Sequence, residues 1–390
     1  MLKRVEIKGF RSCHDVVLDD LGPLTVLVGR NAVGKSNILR AISWLAQTAT
    51  SSPTPRHFLQ PRQVTVRVVL GDDRYDYSFK GSVPSRSNEP PPLGIAEALD
   101  HQRRDGASQK ILERERDKVT LFGEDRTLNV DAFTPCMPAI AFYLPPDLEP
   151  VRLVRPLLEY LRAIRYYHYP VRADAEANYV RQSDYQEWLT QGRRASESGN
   201  ELLLRLVDMS LNRPGEFDDL KQLLGPNGLG LIDSIRVEPS GPVATPQEGG
   251  QSSYFVSFQP SLQPTTSPPK ILGLDDLSSG TQRLIGIITP LIYDHSAVML
   301  LEHPEEGIHR ALVWKLINVL QGYSDQSQII IASHSADVFN AVAPEAIRLV
   351  TMEDGQTRVR SLTSQEARDA NEYREQKGTL ADFLDIVVQE

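Results

Sequence analysis

The sequence predicts an α/β fold with a mostly parallel sheet at its core, an antiparallel N-terminal subdomain and an inserted helical and irregular lid. Three observations point there. The opening alternates apolar and charged residues, as at Val5 and Ile7, and then runs into a continuous apolar stretch, Leu24–Val28. From residue 271 onward, short apolar runs alternate with helical stripes. Between these halves lie stretches rich in Pro, Ser, Thr and Gly.

The elements follow in order. Val5 and Ile7 read as a half-buried strand, and Val16, Val17 and Leu18 as a short second one. Leu24–Val28 has the unbroken apolar character of a strand covered on both faces. Ile38, Leu39, Ala41, Ile42 and Leu45 make a helical stripe. Val64, Val66 and Val68, a turn at Gly71, Asp72 and Asp73, then Tyr75, Tyr77 and Phe79 read as a hairpin. Residues 82–94 and 239–270 read as loops or disordered segments, with charged and helical stretches between them, including 198–212. A helix follows Ser279, then a strand at 298–301. Next come a helix carrying Ile308, Leu312, Val313, Leu316, Ile317 and Leu320, and a strand at 329–332. The chain thus divides into an N-terminal half of the core (1–80), an insertion (81–270) and a C-terminal half (271–390). No internal repeat and no long heptad run occurs, so a coiled-coil stalk is not expected.

Composition narrows the function classes. The chain has 390 residues, 24% of them charged, and a formal net charge of -9. That balance argues against coating nucleic acid non-specifically, while leaving room for a local basic groove. No apolar run approaches the roughly 18 residues of a membrane span, and the N-terminus lacks the apolar centre of a signal peptide. Cys13 and Cys136 are too few for a disulfide framework or a metal knuckle, which fits a cytoplasmic location.

The segment 29–37, GRNAVGKSN, matches G-x-x-x-x-G-K-[ST] and lies between an apolar strand and a helix. Gly29 and Gly34 let the backbone curl so that N–H groups point at phosphate oxygens. Lys35 supplies a point charge to β- and γ-phosphates, and the Ser36 hydroxyl suits Mg²⁺. The helix N-terminus adds its positive dipole end.

Three further segments recur in order. LSSGTQ (277–282) heads an apolar helix; a plain Ser/Gly helix cap has the same look. Segment 297–310 is an apolar strand ending in Glu302, where a carboxylate can hold Mg²⁺ through water; a surface acid after a core strand is the simpler reading. Segment 329–339 is a buried strand followed by Ser333, His334 and Ser335, where an imidazole either reaches a γ-phosphate or serves the fold. The stretch 152–172 interleaves arginine with tyrosine, a composition shared by nucleic-acid surfaces and by a core helix and strand with a solvated face; the second reading is preferred.

Together these motifs resemble the P-loop ATPase heads of the ABC/SMC/RecF/OLD group, and most closely the short AAA-type ATPases of bacterial defence and repair systems. The resemblance covers roughly 1–80 and 270–350, and is thin between them. It implies that ATP–Mg²⁺ is bound by Gly29, Arg30, Asn31, Gly34, Lys35, Ser36 and Asn37, with Arg11 of the segment FRS (10–12) packed nearby. It implies that Ser278 and Gly280 contact the γ-phosphate of a second copy's ATP, giving a head-to-tail homodimer. Glu302 would hold the Mg²⁺-bound water and His334 would sense the γ-phosphate. The group's Q-loop glutamine has no clear counterpart; Gln60 and Gln63 are candidates by proximity.

Two departures shape the expected function. The group usually places a second acid, the catalytic base, where this chain has His303. Either His303 takes that role, with slow turnover, or Glu305 or Glu306 reaches the water instead. Second, too few residues follow His334 for the Toprim nuclease of OLD proteins. The expectation is an ATPase that dimerises around ATP and switches a separate effector, a nuclease or toxin, or a DNA-processing complex. An ATP sensor with negligible turnover is the alternative, and a transporter ATPase is disfavoured by the FRS opening and the long insertion.

Overall fold

A computed structural model describes residues 1–51, 62–82, 94–104, 106–124, 126–131, 134–167, 178–192, 201–245, 248–261 and 271–389. In chain order, β1 (Leu2–Phe10), β2 (Cys13–Leu18) and β3 (Leu24–Val28) precede α1 (Lys35–Thr50). Then come β4 (Arg62–Leu70), β5 (Asp73–Ser82), β6 (Gly94–Arg103), β7 (Gln109–Glu115), β8 (Lys118–Leu121) and β9 (Arg126–Asn129). Helices α2 (Cys136–Tyr143) and α3 (Glu149–Arg162) lead to β10 (Ile164–Tyr167) and β11 (Tyr179–Arg181). Next are α4 (Gln182–Thr190), α5 (Glu201–Asn212), α6 (Pro214–Leu224), β12 (Ile232–Thr245) and β13 (Glu248–Pro260). The chain continues through α7 (Ser279–Tyr293), β14 (Val298–Glu302), α8 (Arg310–Tyr323), β15 (Gln328–Ser333) and α9 (Ala336–Asn340). It closes with β16 (Ile347–Glu353), β17 (Gln356–Ser361), α10 (Ser364–Gln376) and α11 (Leu380–Gln389).

The described residues form two compact units. The first comprises Met1–Tyr167, Ser296–His303 and Leu320–Glu390; the second comprises His168–His295 and Pro304–Val319.

The first unit holds two sheets. One has the order β10-β14-β15-β3-β16-β17, parallel except for the final β16–β17 hairpin. Its central strands, β3, β14 and β15, are buried at every residue, which is why they read as unbroken apolar runs rather than alternating ones. The other sheet is antiparallel, in the order β2-β1-β4-β5-β6-β7-β8-β9. It alternates instead: Val64, Val66 and Val68 of β4 face the core beside Tyr75, Tyr77 and Phe79 of β5. Trp44 of α1 packs between Phe10 and Phe79, with ring centroids 6.1 and 5.6 Å away. Buried Gln328 at the start of β15 ties the two sheets. Its Oε1 accepts from Leu2 N at 2.8 Å, and its Nε2 donates to Leu2 O at 2.8 Å and Gly22 O at 2.9 Å.

Strands β6–β9 and helices α2 and α3, all within the stretch expected to be an insertion (81–270), belong to this first unit. The antiparallel sheet simply continues past residue 80, because β6 pairs along the whole of β5. The described part of the arginine- and tyrosine-rich stretch, to Tyr167, forms α3 and β10, and 168–172 lie outside the described residues. Val151, Val154, Leu157, Leu158 and Leu161 are buried while Arg152 and Arg155 face outward, so it is a core helix with a solvated face.

The second unit has a sheet in the order β11-β13-β12 with α4, α5, α6 and α7. Here the expectation of loop at 239–270 is corrected: 232–245 and 248–260 are the two arms of one antiparallel hairpin. Ser, Gly and Pro lower strand propensity, but Val256 and Phe258 alternate inward and anchor the hairpin. Residues 262–270, like 83–93, lie outside the described residues. Arg205 of α5 forks onto Asp294 at 2.8 and 3.0 Å, fixing α5 against the end of α7. Among the described residues, no helix is long and apolar enough to cross a membrane.

Candidate functional site

The loop 29–34 joins β3 to α1 in the first unit. It ends at Gly34, the N-cap of α1, with φ 103° and no side-chain cap. A Cβ there would fall 2.0 Å from Thr357 Oγ1, so both the dihedral and the packing demand glycine. The first turn of α1 carries no acid of its own to oppose the helix dipole. Buried Thr357, from β17, braces the loop. Its Oγ1 donates to Val33 O at 2.9 Å and lies 2.7 Å from Ser12 Oγ, while Thr357 N donates to Ser12 O at 2.9 Å.

Ser12 and Arg11 occupy the tight β1–β2 turn, where Arg11 has φ 54°. Asn37 Nδ2 donates to Ser12 Oγ at 2.8 Å, and Arg11 Nη1 donates to Asn37 Oδ1 at 3.2 Å. The FRS segment is therefore bonded to the first turn of α1. The Lys35 side chain is 4% exposed; its Nζ donates to Gly29 O at 2.7 Å and Arg30 O at 2.8 Å, folding the ammonium over the loop.

Glu302 ends β14 one strand away from β3, with β15 between them. His303 follows at φ 47°, a left-handed conformation uncommon outside glycine, and its N–H donates to Ala332 O at 2.9 Å. Beyond the carboxyl ends of β14 and β15, His303 Nδ1 meets His334 Nδ1 at 3.1 Å, with ring centroids 4.8 Å apart. Asn31, Ala32, Gly34, Lys35, Ser36, Asn37 and His303 line one polar cavity of about 160 Å³. A second cavity, of about 320 Å³, is lined by Gly29, Arg30, Asn31 and His334 together with Phe339 and Leu384. The first unit thus brings together the P-loop residues, His303 and His334.

Models of two ATPase families match in the same order along the chain. The AAA ATPase domain matches residues 1–117, and the family described as AAA domain, putative AbiEii toxin, Type IV TA system, matches residues 270–340. Both matches are to ATPase domains, and with the short matches below they support a likeness to ATPase heads of the ABC/SMC/RecF/OLD type. Short stretches match curated relatives. The OLD nuclease of Thermus scotoductus is 57% identical over 42 residues, 11% of this chain and 8% of that protein. The DNA replication and repair protein RecF of Lactococcus lactis is 49% identical over 47 residues, 12% of this chain and 13% of that one. The matched stretches thus span a small part of either relative. Among solved structures, an SMC head bound to the C-winged helix domain of ScpA aligns over 94% of this chain and 99% of its own, at 15% identity and TM-score 0.48. The SMC head domain of Thermotoga maritima aligns over 93% and 99%, at 15% identity and TM-score 0.39.

The remaining expected residues of the head fall in the second unit. Ser278 is the N-cap of α7, its Oγ accepting from Thr281 N at 3.2 Å, so the capping reading of LSSGTQ holds locally. Gly280 allows a close approach: a Cβ would fall 2.6 Å from Gly307 O. Arg283 Nη1 lies 3.5 Å from Glu306 Oε2. Glu305 belongs to this unit as well.

Of the two Q-loop candidates, Gln60 lies outside the described residues. Gln63 sits in β4, where its Nε2 donates to Ser78 Oγ at 3.1 Å across the sheet, a cross-strand role. Sequence reasoning missed Thr357, Arg40 and Tyr166. Arg40 and Tyr166 both bond Glu302, and neither belongs to a motif.

Proposed function

We propose that this head binds ATP–Mg²⁺ at the P-loop and that two copies close head to tail around the nucleotide, with Ser278 and Gly280 of one copy gripping the γ-phosphate held by the other. Slow hydrolysis then opens the pair and switches a separate effector or a DNA-processing complex. One observation carries the reading: the polar cavity in which Gly34, Lys35, Ser36, Asn37 and His303 converge at the uncapped start of α1. Its donor set, of loop amides, an ammonium and a hydroxyl, fits a triphosphate rather than a neutral ligand. Mg²⁺, held by Ser36 and through water by Glu302, would offset charge on the β- and γ-phosphates. The names of the relatives, a RecF repair protein, an OLD nuclease and a putative toxin family, support an assignment to DNA repair or genome defence.

The histidine pair favours slow turnover. The Nδ1 atoms lie 3.1 Å apart, so a hydrogen bond between them needs one Nδ1 proton, carried by either ring. With that proton on His303, His303 Nε2 keeps a lone pair for the attacking water, and His334 Nε2 carries a hydrogen to donate to the γ-phosphate. In the opposite tautomer His303 has no basic Nε2 and His334 no Nε2 donor. Only one of the two arrangements is productive, and the ring places its accepting nitrogen differently from a carboxylate oxygen, a misplacement that costs rate. His303→Glu is therefore expected to raise steady-state ATP hydrolysis at least several-fold, measured as phosphate release. If Glu305 is the base, His303→Ala keeps the wild-type rate and Glu305→Gln abolishes it. A fast wild-type enzyme that His303→Glu inactivates would contradict the slow-switch reading.

A further inference from the structure

Glu302 is 8% exposed, and a carboxylate so placed needs partners. Two come from the elements flanking β14. Strand β10 lies parallel beside it with Tyr166 level with Leu300, so Tyr166, Leu300 and Glu302 share one face of the sheet. From there the Tyr166 hydroxyl reaches forward and donates to Glu302 Oε2. Arg40, on α1, donates from Nε to the Tyr166 hydroxyl at 3.4 Å and brings Nη2 within 3.8 Å of the same Glu302 oxygen.

We propose that Tyr166, backed by Arg40, is a positioning residue that fixes the rotation of the Glu302 carboxylate so that it meets the Mg²⁺ shell from one direction. The proposal rests on the assignment of Glu302 to Mg²⁺. Both contacts fall on Oε2, which orients the carboxylate as a whole and sets the direction from which Oε1 is presented. Arg40 also lies on the helix that begins at Lys35, so the same contacts hold the phosphate loop's helix in register with the strand bearing the acid. A carboxylate retained only for solubility would not need its orientation tied to that helix. Partners that orient a metal-binding group alter metal affinity by roughly ten- to a hundredfold when removed.

The test measures binding of a fluorescent ATP analogue to the full chain, by anisotropy, across a Mg²⁺ titration and in EDTA. Tyr166→Phe should raise the Mg²⁺ concentration giving half-maximal enhancement of binding by about tenfold or more, and leave affinity in EDTA unchanged. Arg40→Gln, at a more exposed position, should move it in the same direction and serves if Tyr166→Phe does not fold. Glu302→Gln is the reference variant. If Glu302→Gln shifts the Mg²⁺ midpoint and neither partner variant does, the positioning role is overturned while the Glu302 assignment stands. If Glu302→Gln itself has no effect, that assignment fails and the inference falls with it. Equal weakening of binding with and without Mg²⁺ in Tyr166→Phe would mean a purely structural contact and would also overturn the proposal.

Discussion

Lys35→Ala is expected to weaken ATP binding by between about tenfold and a hundredfold, because a charge-assisted phosphate contact is worth roughly 1.5–3 kcal/mol. The ammonium is already held at the loop, on Gly29 O and Arg30 O, so its charge is in place before any ligand arrives. Alanine removes the cation and also withdraws a donor from two loop carbonyls, so a thermal melt without nucleotide must accompany the binding measurement. A variant that melts like the wild type and binds ATP with unchanged affinity by calorimetry would remove Lys35 from the site. Retained affinity in a loosened fold would do the same.

The largest effect on stability is expected at Arg114. This side chain and that of Glu97 are both fully buried, paired at 3.3 Å inside the antiparallel sheet. Arg114 also donates to Arg116 O at 2.6 Å, Asp131 O at 2.8 Å and Thr134 O, closing the 116–134 segment onto β7. Glu97 in turn accepts from Tyr77 Oη at 2.7 Å and Cys136 N at 2.7 Å. Arg114→Leu leaves a buried carboxylate and several carbonyls without their cation, which should lower stability by about 3–5 kcal/mol. Glu97→Gln keeps an oxygen for Cys136 N and sets an amide NH2 against the Tyr77 hydroxyl, which can turn to accept from it, and should cost less. Denaturant unfolding followed by tryptophan fluorescence reports this, since Trp44 packs on the same sheet through Phe79. An Arg114→Leu midpoint indistinguishable from wild type would show that the network carries no net stability.

What the sequence reveals and conceals follows from range. The P-loop is legible because its chemistry is confined to nine consecutive residues between a strand and a helix. The candidates Glu302 and His334 stand out because one ends and the other directly follows a strand with an apolar run, the pattern of a central parallel sheet. Thr357 and Tyr166 reach the site only through strand order, β17 at one end of the sheet and β10 at the other, which no local pattern encodes. The same limit explains the continuation of the N-terminal sheet beyond residue 80: β6 pairs with β5 across residues 83–93, whose composition interrupts the pattern. The hairpin at 232–260 was hidden by Ser, Gly and Pro, and rests on pairing along its whole length rather than on propensity. The backbone turn at His303, which sets its ring against His334, likewise has no sequence signal beyond the departure from an acid.

The claim that two copies close around ATP is tested most directly by light scattering. Wild-type chain, of 43.6 kDa, should scatter as a single copy without nucleotide and as about twice that mass with ATP–Mg²⁺. Ser278→Arg, placing a bulky cation at the cap of α7, should bind ATP with wild-type affinity yet remain a single copy. A wild-type mass that ATP leaves unchanged, or a Ser278→Arg variant that pairs as the wild type does, would contradict the account.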